Sequence, residues 1–182
     1  MADTALLVMD VQNAIVNRFS TDTDYLPRVR RGIDAARAAG LPVFFVRVGF
    51  RPGFPEVSPN NASFSAIRDR GGFSAADIEI HPALGAGADD VIVTKRRISA
   101  FTGSDLGVLL RAHDIRHLVL AGISTSGVVL STLREAADLD YRLTVLSDGC
   151  LDADEEVHRV LLTKVFARQA AVTTVDEWVA GL

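Results

Sequence analysis

The sequence has few of the residues on which several classes of protein depend. Cys150 is the only cysteine among 182 residues, so an intrachain disulfide and a zinc site built from several cysteines are both excluded. No apolar run approaches the roughly 20 residues needed to cross a bilayer. The net charge is −4 and the cations are scattered, which argues against binding to nucleic acid. We therefore expect a cytoplasmic protein that binds neither nucleic acid nor membranes.

Lysine is also scarce, because only Lys95 and Lys164 stand among the 19 basic residues. Arginine stays charged at any pH, whereas burial or a neighbouring charge shifts the pKa of a lysine. Lys95 directly follows an apolar run of strand length. A functional role for Lys95 is thus one interpretation, and a solvated surface cation is the other.

Apolar runs of strand length alternate with helical patterns along the chain. The predicted strands are Ala5–Met9, Val43–Val48, Asp90–Thr94, His117–Ala121, Arg142–Leu146 and a short one at Ala171–Thr173. The predicted helices are Leu26–Ala39, Ser104–Ala112, Ser126–Leu139, Glu155–Arg168 and a last helix around Trp178. This alternation predicts a single domain over residues 1–182. The architecture is three-layer α/β/α with a doubly wound, mostly parallel sheet of five or six strands, which is Rossmann-like.

The stretch from Gly49 to Gly87 interrupts this alternation and is rich in Pro, Gly, Asn and Ser. Connections in compact domains are usually much shorter, and long ones are commonly lids or binding loops. We therefore expect residues of this stretch, Asn60, Asn61 and Phe64 among them, to shape a ligand site.

Ligands of doubly wound sheets bind beyond the carboxyl ends of the strands. The residues at these ends are Asp10, Arg51, Lys95, Ser124–Val128 and Asp148–Cys150. Asp10 is either a cap for the next segment or a functional carboxylate, and in one pocket Asp10 and Lys95 would favour each other's charged form. The backbone N–H groups at Ser124–Val128 suit an anion at a helix N-terminus, and capping by the hydroxyls there is the alternative.

Four motifs in one order resemble the isochorismatase-like (cysteine hydrolase-like) superfamily along almost the whole chain. They are D-x-Q after the first strand, K-x-x-x-S-A-F after the third, G-I-x-T before a V-x-x-T-x-R-x-A helix, and a D-rich turn after the fifth strand. The resemblance implies an Asp, Lys and Cys triad and places the aspartate on Asp10 and the lysine on Lys95. The cysteine position falls on Val128, and valine cannot act as a nucleophile. The lone Cys150 lies after the next strand and is expected to be a small core residue or a residue that supports the site from behind.

The resemblance also implies how such a site works without a thiol. True isochorismatases keep the aspartate and lysine with a glycine at the cysteine position, and their aspartate acts as the general acid in vinyl-ether hydrolysis. The metal-binding branch of the superfamily uses an Asp/His loop, but no histidine stands between Gly49 and His81. We therefore predict no metal and no cofactor. The superfamily commonly forms homodimers or larger homo-oligomers, and the same is expected here.

The predicted catalytic set is therefore Asp10 and Lys95, with Val128 at the position of the missing nucleophile. The turn Phe50-Arg51-Pro52-Gly53 matches a substrate-binding Q-P-G turn of isochorismatases, so Arg51 indicates an anionic small-molecule substrate, unless it is simply solvated. The Y-A-H sequence of those enzymes is absent, because this chain has Ser124-Thr125-Ser126. The predicted substrate-binding residues are Gln12, Arg51, Asn61, Phe64, Phe101, Ser124, Thr125, Ser126 and Gly127.

Three functional hypotheses remain open at the level of sequence. The first is an isochorismatase-like hydrolase that acts through Asp10 and Lys95. The second is an amide hydrolase with Ser124, Thr125 or Ser126 as nucleophile. The third is an inactive homologue that binds a small molecule or a partner protein.

Overall fold

The computed structural model describes residues 3–19 and 22–182. Six strands form one sheet in the order β3-β2-β1-β4-β5-β6, and every neighbouring pair is parallel. The strands are β1 Thr4–Met9, β2 Val43–Val48, β3 Val91–Lys95, β4 His117–Ile123, β5 Arg142–Leu151 and β6 Ala171–Thr173. The prediction of a doubly wound parallel sheet is confirmed, with six strands.

Helices cover both faces of this sheet. They are α1 Asn13–Val16, α2 Tyr25–Ala38, α3 Ala62–Asp69, α4 Leu106–Ala112, α5 Leu130–Asp138, α6 Glu155–Val160 and α7 Val175–Ala180. One buried cluster joins the sheet to α4 and α5, and a second joins it to α2 and α7. No helix among the described residues is long and apolar enough to span a bilayer.

The sequence of β1 shows why the sheet is covered on both sides. Leu7 and Met9 belong to the cluster with α4 and α5, whereas Leu6 and Val8 belong to the cluster with α2 and α7. Successive side chains of a strand point to opposite faces, so a strand between two helix layers must be apolar at every position.

The strand order fixes where a ligand can bind. From β1 the chain moves outward to β2 and β3, and it then returns to the other side of β1 for β4, β5 and β6. The order therefore reverses between β1 and β4, and the crevice beyond the carboxyl ends of these two strands is the expected site in such folds.

Several predicted elements have different bounds in the structure. β5 continues to Leu151 because Gly122 pairs with Cys150 beyond a register shift in β4, which a local apolar pattern does not reveal. The predicted helix Ser126–Leu139 starts with a π-turn at Thr125–Val129 before α5. The predicted helix Glu155–Arg168 is divided into α6, a π-turn at Leu161–Val165 and a 3-10 turn at Phe166–Arg168.

The long Gly49–Gly87 stretch has a structure of its own. It contains α3, whose N-cap Asn61 accepts a hydrogen bond from the backbone N–H of Phe64 at 3.1 Å. Phe64 packs with Val48 and Val57 in a small third cluster, against which Phe50, Phe54, Ile67 and Phe73 lie. The stretch is therefore a folded cover at the carboxyl edge of β2 and not an extended loop.

Candidate functional site

Asp10 and Lys95 form an ion pair at the carboxyl edge of the sheet. Lys95 Nζ lies 2.9 Å from Asp10 Oδ2, although β2 separates β1 from β3. Asp10 adopts a left-handed backbone conformation with φ 56°, which ends β1 and turns its side chain away from the strand direction. Lys95 is the last residue of β3, and its ammonium also donates to Arg97 O at 2.9 Å. Both side chains are buried, at 8% and 3% exposure.

The two oxygens of Asp10 have different surroundings. Oδ2 contacts Lys95, but within the described residues no group donates a hydrogen bond to the buried Oδ1. Burial raises the pKa of Asp10, and the ammonium of Lys95 opposes this rise without cancelling it. A carboxyl with a raised pKa and an unused oxygen is suited to proton transfer.

Gly122 allows the end of β4 to approach this pair closely. A Cβ at Gly122 would lie 2.2 Å from Met9 O, and the residue has φ 151°. A side chain at this position would collide with the backbone next to Asp10. The glycine therefore brings the segment that follows β4 against the end of β1.

The segment after β4 contributes Ser124, Gly127 and Val128 to a cavity that also contains Asp10 and Lys95. A Cβ at Gly127 would lie 2.7 Å from Ser124 Oγ, so glycine leaves room there for the serine hydroxyl. Val128 is buried at this wall, so the position assigned to the nucleophile does face the acid and the lysine.

The cavity has a volume of about 220 Å³ and mostly apolar walls. Phe64 of α3 lies in its lining, as the sequence predicts. The remaining lining residues were not predicted and come from the segment around α1, from the ends of β2 and β4, from the long stretch and from the turn after β3. They are Ile15, Arg18, Phe19, Val48, Ile67, Phe73, Ile98 and Ile123. No strand-end signal marks most of them, although the apolar run after Asn61 is compatible with a covering helix.

Thr125 and Ser126 do not line the cavity. The Thr125 hydroxyl donates to Leu151 O at 3.1 Å and lies 2.8 Å from His158 Nδ1, on the side of β5 and α6. The backbone N–H of Ser126 donates to Asp152 Oδ2 at 2.7 Å. The prediction that both residues contact substrate is therefore not supported by their positions.

The predicted anion-binding turn is also partly occupied by its own contacts. Besides Ser126 N, the N–H groups of Gly127 and Val129 donate to Ser124 O at 3.1 and 3.2 Å. The Ser124 side chain makes no capping hydrogen bond. Two of the expected donors, Ser126 N and Gly127 N, are thus committed within the protein, and the N–H of Val128, which lines the cavity, is a candidate donor there.

Gln12 and Arg51 are placed away from the cavity, contrary to prediction. The amide of Gln12 donates to Val48 O and Ile78 O, each at 3.1 Å, and accepts from Val48 N at 2.8 Å. Its polar atoms therefore hold the cover to β2. Arg51 is 66% exposed and pairs with Glu56 at 3.4 Å, so this loop cation does not reach the site.

Asn61 and Phe101 are likewise outside the lining. The Asn61 side chain caps α3, as described above. Phe101 packs near Tyr141, with ring centroids 6.0 Å apart. Both rings border an open depression of about 760 Å³ near the start of β5. That depression is larger than the Asp10 cavity, but it lies at the amino ends of the strands, away from Asp10 and Lys95.

Cys150 is a core residue, as predicted. Its thiol is buried in β5 beside Leu120 O, with Sγ 3.9 Å from that oxygen. Burial raises the pKa of the Cys150 thiol to about 12. A thiol that keeps its proton in the core cannot replace a nucleophile at the cavity. Over residues 3–19 and 22–182, no group of three His, Cys, Asp or Glu side chains is arranged to hold a metal ion.

Comparisons with known proteins identify the family of this chain. The isochorismatase domain family matches residues 4–177. The chain is 32% identical to the ureidoacrylate amidohydrolase RutB of Stutzerimonas stutzeri (strain A1501), covering 100% of this chain and 80% of that protein. It is 35% identical to the uncharacterized isochorismatase family protein YecD of Escherichia coli O157:H7, covering 96% and 93%. A cysteine hydrolase from Pseudomonas syringae pv. phaseolicola 1448A has a similar crystal structure, with a TM-score of 0.90 at 25% identity over 99% and 93% of the two chains. The chain therefore belongs to the isochorismatase family of hydrolases.

Proposed function

We propose that this protein is a small-molecule hydrolase that acts without a cysteine nucleophile, with Asp10 as the proton-transfer group. The observation that carries the proposal is the buried Asp10 carboxyl, whose pKa is raised and whose Oδ1 has no hydrogen-bond donor among the described residues. Lys95 at 2.9 Å modulates that pKa and stabilises the carboxylate after the proton has left.

The walls of the cavity support a reaction that forms no covalent intermediate. Val128 stands where the resemblance places the nucleophile, and the Cys150 thiol is buried elsewhere with a pKa of about 12. Water is then the attacking group, and the protein has to supply a proton and a shaped environment.

Vinyl-ether hydrolysis meets these requirements. Protonated Asp10 donates its proton to the vinyl carbon, and water adds to the resulting oxocarbenium carbon to give a hemiketal. The proton lost by that water returns to Asp10 directly or through solvent. When the hemiketal collapses, its hydroxyl proton is transferred to the ether oxygen as the C–O bond breaks, which leaves a ketone and an alcohol. The Lys95 ammonium stabilises the carboxylate form of Asp10 in the middle of this sequence.

Amide hydrolysis is the second candidate. It is favoured by the similarity to a ureidoacrylate amidohydrolase and by Ser124, which lines the cavity together with Asp10. In that reaction Asp10 would act as the base for the Ser124 hydroxyl, and Val128 N would donate to the oxyanion. An inactive homologue that only binds ligand is the remaining alternative.

The test is a comparison of substrates and variants. The purified protein is incubated with isochorismate, ureidoacrylate, nicotinamide and other primary amides, and product is followed by chromatography. Asp10→Asn, Ser124→Ala and Cys150→Ala are measured beside the wild type. Vinyl-ether turnover that is lost in Asp10→Asn but kept in both other variants supports the proposal.

The pH dependence separates the two reactions. A general acid must be protonated, so vinyl-ether turnover should fall as pH rises through the raised pKa of Asp10. Amide turnover with Asp10 as base should rise over the same range and should be lost in Ser124→Ala. Turnover of every substrate by Asp10→Asn at the wild-type rate would refute the role of Asp10.

Other properties belong to the proposal as well. An anionic substrate, a homodimeric or larger assembly and a cytoplasmic location stay predictions from the sequence. Arg51, which suggested the anionic substrate, is outside the cavity, so a different residue has to recognise the anion.

A further inference from the structure

The cavity contains a positive charge that the proposed mechanism does not use. Its lining includes two cations, Lys95 and Arg18, but a single carboxylate, that of Asp10. Lys95 is matched by Asp10 at 2.9 Å. Arg18 is exposed at the cavity, and it takes part in none of the ion pairs found between described residues. The lining thus has one cation more than it has anions.

Hydrogen bonds hold the backbone around Arg18 in place. Asn13 Nδ2 donates to Ala76 O at 2.9 Å, and Arg18 N donates to Ile15 O at 3.0 Å. Asp77 is the acid whose pKa Arg18 affects electrostatically. Its carboxylate accepts a hydrogen bond from Ser74 N at 2.9 Å. Hydrogen bonds from Ser74 are the main cause that lowers the pKa of Asp77, and Arg18 contributes least. Asp77 therefore does not take the place of a bound anion at the Arg18 guanidinium.

The rest of the lining describes the body of the ligand. Apart from Arg18 and the ion pair, the lining is mostly aliphatic and aromatic, with Ile15, Phe19, Phe64, Ile67 and Phe73 among its residues. The volume of about 220 Å³ corresponds to about seven water molecules at their share of liquid volume and is smaller than a pocket for a drug-sized ligand. The cavity therefore fits a compact apolar body with one anionic end.

We propose that Arg18 is the specificity-determining residue of this site and binds the carboxylate of a small monoanionic substrate whose apolar body fills the cavity. A guanidinium recognises a carboxylate through two parallel N–H···O hydrogen bonds. The single excess cation matches one negative charge, whereas a neutral ligand would leave Arg18 to water. The inference rests on the proposed function, because Asp10 defines the reacting end of the substrate.

The test measures binding and not turnover. Benzoate and benzamide have the same shape but differ in charge, and their Kd values are measured by titration calorimetry on the full chain. The wild type should bind benzoate at least about tenfold more tightly, the effect of one charge-assisted contact of about 1.4 kcal/mol. Arg18→Gln should remove this preference and leave the Kd of benzamide unchanged. Arg18→Lys should keep part of it, because an ammonium retains the charge without the planar fork.

The controls separate this inference from the proposed function. Arg159→Gln makes the same charge change on the exposed face of α6 and should keep the full preference. Equal affinity of the wild type for both ligands, no binding of either, or an unchanged preference in Arg18→Gln would each overturn the role of Arg18. Loss of turnover in Asp10→Asn decides the proposed function independently of these outcomes.

Discussion

Replacing Lys95 with methionine should destabilise the fold by an amount that depends on pH. The ammonium of Lys95 and the carboxylate of Asp10 are 2.9 Å apart and both are buried. Removal of one partner from a buried pair typically costs about 3–5 kcal/mol, because the other charge is left without compensation. Asp10 can reduce this cost by taking up a proton.

The direction of the pH dependence follows from that proton. Burial already raises the pKa of Asp10 above the ordinary value of 3.8, and Lys95 opposes the rise. In Lys95→Met the opposition is gone, so the folded-state pKa is raised further. A folded-state pKa above the unfolded one gives stability that is fully present at pH values below 3.8 and is lost as pH rises through the folded-state pKa. Within that window the free energy of unfolding falls by about 1.4 kcal/mol per pH unit.

Urea unfolding at a series of pH values measures this effect. Lys164→Met is the matched control, because Lys164 is the other lysine and is exposed; it should lose less than about 0.5 kcal/mol at every pH. The double variant Asp10→Asn/Lys95→Met removes both charges and should be more stable than Lys95→Met alone at neutral pH. A destabilisation that is the same at all pH values, together with additive effects in the double variant, would refute the coupling of the two groups.

Further predictions concern Cys150, Gly122 and Arg97. In the native protein Cys150 should not react with iodoacetamide at neutral pH, and Cys150→Ala should retain wild-type turnover, because burial raises the thiol pKa to about 12; rapid alkylation would contradict its placement. Gly122→Ala should lower the free energy of unfolding by about 3 kcal/mol or more, since its Cβ would lie 2.2 Å from Met9 O; a thermal melt equal to that of the wild type would exclude this clash. Arg97 donates to Glu56 O at 2.7 Å and lies over the Phe64 ring at 5.9 Å. These contacts fix the backbone carbonyl of Arg97, which accepts a hydrogen bond from Lys95. Arg97→Ala should therefore shift the pH profile of turnover, and Arg97→Lys should partly restore it. An unchanged profile would show that the Arg97 side chain does not position Lys95.

The fold was largely predictable from the sequence because its signals are local. Strands covered on both faces are apolar at every position, and residues Leu6 to Met9 show this directly. The same local rule places Asp10 and Lys95 at strand ends, and parallel strands bring all carboxyl ends to one edge. The length of β5 was less accessible, since it depends on the pairing between Gly122 and Cys150.

The positions of Arg51 and Arg18 show the limit of predicting site residues from strand ends. Arg51 also follows a strand end, because it stands three residues after β2 ends at Val48. However, Arg51 N and Arg51 Nη1 both contact Glu56 Oε1, so a local turn directs this arginine outward. Arg18 is set at the cavity by a segment that Asn13 fastens to Ala76, 63 residues away. Such a contact has no local pattern, because the two segments meet only after the cover has folded over the sheet edge. The first residue after a strand can therefore be assigned from sequence, whereas the residues at the rim of the cavity are set by tertiary contacts.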